Sequence, residues 1–93
     1  MATTAQIRKA IRAAAQTCGV SFKGQTTYTD TKPCGVYVCF PTMGKQREQA
    51  HRIAQEANFL LFAQTGESNV VRVVRSYQYA YSSGRTYIRA TAK

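Results

Sequence analysis

Arginine and tyrosine are the residues best equipped to do chemistry in this chain, and they cluster. The stretch Arg75 to Ala90, RSYQYAYSSGRTYIRA, holds four of the six tyrosines and three of the eight arginines. A tyrosine ring accepts a stacked nucleobase at roughly 1–3 kcal/mol, and a guanidinium contacts phosphate or stacks in its own right. Whether the two types cooperate depends on strand register. With Ser82-Ser83-Gly84 as a three-residue loop, the spacing predicts Tyr81 opposite Arg85, Tyr79 opposite Tyr87, Tyr77 opposite Arg89 and Arg75 opposite Thr91. One face then carries Arg75, Tyr77, Tyr79, Tyr81, Arg85, Tyr87 and Arg89, with Arg72 further along the same arm. The reverse face carries Ser76, Gln78, Ala80, Thr86, Ile88 and Ala90, small enough to receive helices. A two-residue loop at Ser83-Gly84 would part Tyr77, Tyr79 and Tyr81 from Arg85, Tyr87 and Arg89. The three-residue loop is expected, because the other register puts Arg89 on a packed face.

Tyrosine is also common in strands for reasons unrelated to ligands, supporting its cross-strand neighbours by about 0.2–1 kcal/mol per pair. Tyr and Arg anchor protein interfaces as well. The charge balance favours a polyanion: thirteen Lys and Arg against four Asp and Glu give a net charge of +9, and a field of that sign attracts nucleic acid first. Further cations, Arg8, Lys9 and Arg12 near the N-terminus and Lys45, Arg47 and Arg52 in the middle, are candidate phosphate contacts. Gly44, Lys45 and Arg47 fall in the first turn of a predicted helix, where free N–H groups favour an anion. The glycine spacing of a nucleotide-hydrolysing phosphate loop is missing before Lys45.

Other chemistry finds little support. Cys18, Cys34, Cys39 and His51 are separated by fifteen, four and eleven residues, which matches no common zinc signature. Asp30, Glu48, Glu56 and Glu67 are scattered, and His51 lacks a nucleophile and orienting acid, so no triad forms. The sequence has no RNP1 motif, no GXXG loop of KH type and no zinc finger. No catalytic residue, metal or cofactor is expected, and three cysteines without a dense framework argue against structural disulfides.

The elements that must position these residues follow from periodicity. At 93 residues the chain has room for one domain, 1–93, with a single core. Thr3 or Thr4 caps a first helix to about Thr17, with Ile7, Ala10, Ile11, Ala14 and Cys18 as its buried stripe and Gly19 as its stop. Arg8, Lys9, Arg12 and Gln16 make its outer face basic. Val20 and Phe22 begin a strand, TTYTDTKPCG reads as the turn, and GVYVCF, where Val36, Val38 and Phe40 alternate with Tyr37 and Cys39, is the return strand. Thr42 then caps a second helix whose stripe is Ala50, Ile53, Ala54 and Ala57. Asn58 closes that helix and Phe59 to Phe62 forms a buried strand; the alternative is a helix running on to Gly66. A strand from Asn69 to Tyr81 and another from Arg85 to Thr91 complete the chain.

The expected fold is thus α+β: an antiparallel sheet of four to five strands with two helices on one face, in the order αββαβββ. The halves look alike, as expected either of a duplicated αββ unit or of chance similarity between strand-rich segments. The expected role is a non-enzymatic protein binding nucleic acid, single-stranded or duplex, through the Tyr/Arg face and the basic helix faces. The alternative is a phage or mobile-element interaction protein, such as an anti-CRISPR or anti-restriction inhibitor, docking on an acidic or nucleic-acid-binding protein. The longest apolar run, ANFLLFA, is too short to span a membrane. The N-terminus resembles a transit peptide less than it does a first helix, so a cytoplasmic location, in the host cell if viral, is expected. Homodimer formation is expected through an edge strand, at Val36 to Phe40 or Arg85 to Thr91.

Overall fold

The computed structural model describes residues 2–24, 27–33, 35–76 and 85–92. Seven elements follow in order: α1 (Thr4–Thr17), β1 (Tyr28–Lys32), β2 (Gly35–Pro41), a short α2 (Lys45–Glu48), α3 (Ala50–Thr65), β3 (Val71–Ser76) and β4 (Arg85–Ala92). The four strands form one antiparallel sheet in the order β1-β2-β4-β3. Each half therefore contributes a helix, an outer strand and an inner strand, and the two inner strands meet in the middle.

Helix α1 begins as its sequence dictates. Thr3 accepts from the Gln6 N–H at 3.1 Å while the Gln6 side chain accepts from the Thr3 N–H at 2.9 Å, a reciprocal capping box. It ends when Gly19, at φ +77°, turns left-handed, letting Gly19 donate to Gln16 and Val20 donate to Ala15. Between the caps Ile7, Ala10, Ile11, Ala14 and Ala15 are buried. With Ile53, Ala54, Ala57 and Leu61 of α3 and with Val38, Phe40, Val71, Ile88, Ala90 and Ala92 of the sheet they form one core. Both main helices thus cover the same face of the sheet.

Several expectations are corrected. Val20 and Phe22 are not a strand: the Val20 N–H is spent on the cap of α1, and Phe22 turns inward to meet Phe40 edge-on at 5.1 Å. The segment read as a turn holds β1 instead, since Thr29 and Thr31 alternate with Tyr28, Asp30 and Lys32 along a ladder to β2. Thr42 does not cap a helix; its N–H and hydroxyl both donate to the Thr86 carbonyl, at 3.0 and 2.8 Å. Gly44, at φ +57°, precedes α2 instead, and the second helix is broken at Gln49. Phe59 to Phe62 is helical, not a buried strand, and the order is αββαββ. Ala50, Ile53, Ala54, Ala57 and Leu61 keep helical spacing, while Phe59 and Phe62 are 72% and 56% exposed. Asn58 continues that helix and reaches β3, accepting from the Val71 N–H at 2.7 Å and donating to its carbonyl at 2.9 Å. The strands expected at the edges, β2 and β4, are the inner ones; the edges are β1 and β3.

The expected register of the Tyr-rich hairpin is also corrected. Arg75 pairs with Thr86, not Thr91; Arg72 with Arg89, Val74 with Tyr87 and Ser76 with Arg85. Eight residues, 77–84, therefore separate the last pair, because Ile88 and Ala90 oppose Val73 and Val71 to complete the apolar layer under α3. Tyr77, Tyr79 and Tyr81 lie outside the described residues.

Candidate functional site

Alternation along each strand sends every second residue away from the helices. From β1 these are Tyr28, Asp30 and Lys32; from β2, Tyr37, Cys39 and Pro41; from β4, Tyr87, Arg89 and Thr91; from β3, Arg72 and Val74. The ladder aligns Tyr28, Cys39, Arg89 and Arg72 across all four strands. No described element lies over this face.

Two shallow depressions meet at Arg89. One is lined by Tyr37, Glu67, Asn69, Arg72, Arg89 and Thr91; the other by Tyr28, Asp30, Lys32, Cys39, Val74, Arg75, Tyr87 and Arg89. Between them the Arg89 guanidinium lies over the Tyr37 ring, 4.8 Å from its centroid, close enough for cation–π attraction. That contact holds a flat, charged plate at the middle of the sheet. Cys39, buried beneath its neighbours, has its thiol pKa raised, with desolvation the main cause. The Tyr28 hydroxyl is pushed up to about 12, first by burial and then by Cys39 and Tyr87 beside it. Asp30 is partly offset by Lys32 at 3.2 Å.

The expected site residues fall in three places. Arg72, Tyr87 and Arg89 share the open face. Arg75 points by register to the helix side of β3, yet as an edge residue it also lines the Tyr28–Tyr87 depression. On α1, Arg8 donates to Thr27 and Thr29 beside β1, Arg12 lies over the buried Phe40 ring at 5.3 Å, and Lys9 is exposed. Two of these three cations thus hold the fold together as well as carrying charge. Lys45 and Arg47 sit on α2 and Arg52 on α3, all exposed. Because α2 is a single four-residue turn, the phosphate seat expected at the start of a long helix is not formed there.

Tyr28 and Tyr37 belong to the face and escaped the sequence reading. Tyr37 alternates with Val36, Val38 and Phe40, which was signal enough to place it opposite the core. Tyr28 is hidden in sequence because Asp30, Pro33 and Gly35 around it have turn character, while pairing with β2 makes the segment a strand. No helix among the described residues is long and apolar enough to cross a membrane. No family model, curated protein or solved structure matches the chain.

Proposed function

We propose that the protein is a non-enzymatic binder of single-stranded nucleic acid and that the open sheet face is where it binds. One observation supports this above the others: three tyrosines, Tyr28, Tyr37 and Tyr87, are interspersed with Arg72, Arg89 and Lys32 on a face the helices leave uncovered. Unpaired bases offer flat rings to Tyr87 and to the Arg89–Tyr37 stack, while Arg72 and Lys32 meet phosphates. A duplex hides its base faces and would be held by charge alone. The acids are dispersed over β1, α2, α3 and the loop before β3, an arrangement that favours binding over turnover.

The test is fluorescence anisotropy with labelled single-stranded and duplex oligonucleotides over a salt series. Binding of single strands should weaken steeply with salt, at a log–log slope of roughly −0.7 per phosphate neutralised. Tyr87→Ala should cost about 1–3 kcal/mol, roughly 5- to 150-fold, on single strands and far less on duplex. No binding at low salt, or a Tyr87→Ala protein indistinguishable from the parent, would exclude the proposal.

A further inference from the structure

Arg75 connects two parts of the surface. Besides the open-face depression, it lines a second one, about 380 Å³, at the β3 edge on the helix side. The other walls are Arg47 of α2, His51 and Ala50 of α3, and Val73 and Thr86 of the sheet. Among the described residues, two guanidinium groups, an imidazole and a threonine border the space. These groups carry hydrogen-bond donors that suit the oxygens of an anion, on a chain whose net charge is +9. The ladder sets this cavity beside Arg75 and Thr86, next to the pair Val74 and Tyr87 on the open face. A flexible polyanion leaving Tyr87 over the β3 edge meets Arg75 first, then Arg47 and His51.

We infer that this depression seats a phosphodiester of the strand bound on the open face, so that the nucleic acid bends around β3 at Arg75. The inference rests on the sheet-face proposal and adds to it a second contact region reached only by a longer strand. Guanidinium groups suit the task, since each can give two parallel hydrogen bonds to one phosphate.

Length dependence separates the two regions. The full chain is titrated with labelled oligothymidylates of about four and about twelve nucleotides, spanning the usual range for single-strand binding surfaces. In the double variant Arg47→Ala/His51→Ala, affinity for the longer strand should fall about tenfold and its salt slope should flatten by about 0.7, the share of one cation. The shorter strand should lose less than about twofold, whereas Tyr87→Ala should weaken both lengths alike. Arg47 and His51 are exposed, so the fold should survive, and Arg47→Glu should deepen the loss on the longer strand. Equal losses on both lengths, or no loss on the longer one, would overturn the inference and leave the sheet face standing. If the parent protein binds neither length, the sheet-face proposal fails and this one with it. If inorganic phosphate alone shifts the amide resonances of Arg47 and His51 as far as the longer strand does, the cavity is a free-anion site and the bent path is wrong.

Discussion

At the centre of the open face, Arg89 and Tyr37 behave as one unit. With the guanidinium 4.8 Å from the ring centroid, the ring's outer face is occupied, and the surface offered to a ligand is the far side of the guanidinium. Tyr28 has a different character, because burial and its neighbours Cys39 and Tyr87 disfavour its anion. Its pKa is raised from the ordinary 10.0 to about 12, so folding favours the neutral phenol. The stabilisation is therefore fully present below about pH 10 and is lost as pH rises toward 12. In an ultraviolet titration of tyrosinate, Tyr28→Phe should remove a late step near pH 12. Cys39→Ala should shift that step to lower pH by removing a neighbouring negative charge. Persistence of the late step in Tyr28→Phe would assign it elsewhere. The four helix-borne arginines are not alike either: Arg8 and Arg12 are held against β1 and Phe40, Arg47 borders the edge cavity, and Arg52 is exposed on α3.

Among the elements, the junction of α3 with β3 depends on Asn58, whose amide pairs with both backbone groups of Val71 as a neighbouring strand would. Asn58→Ala leaves the Val71 N–H and carbonyl without those partners and should cost about 1–3 kcal/mol. Urea denaturation should show a lower midpoint at unchanged m-value; an unchanged midpoint would mean water replaces both bonds at no cost. The same residue shows where sequence reasoning stopped. Asparagine is a plausible helix terminator, and nothing local to Asn58 reveals that its amide serves a strand thirteen residues away. Helix α1 was legible to its caps, because Thr3, Gln6 and Gly19 act within a few residues of one another. The strand GVYVCF was legible for the same reason. Strand β1 was not, since Asp30 and Pro33 suggest a turn as readily as Thr29 and Thr31 suggest a strand, and the choice is made by pairing with β2. The β3–β4 register was decided by the apolar layer that Val71, Val73, Ile88 and Ala90 complete beneath α3, and not by the Ser-Ser-Gly corner.

For the molecule as a whole, the two αββ halves place both helices on one side of the sheet and leave the other side to Tyr and Arg, so stability and the proposed binding draw on opposite faces. Charge couples them. A surplus of nine positive charges repels itself in the compact state, and added salt screens that repulsion over a Debye length of about 8 Å at physiological strength. Sodium chloride should therefore raise the melting temperature of the free protein. The same salt should weaken an oligonucleotide complex. At low salt, a single strand at about a hundred times its Kd should stabilise the protein by about 2.7 kcal/mol, or on the order of 10–20 °C for a domain of this size. Thermal scans with and without the strand should thus converge as salt rises, the free protein climbing while the complex falls toward it. Scans that stay parallel would show that the strand is not held by charge. A free protein that melts lower in salt would show that its cations are already neutralised within the fold, leaving no electrostatic drive for a polyanion to exploit.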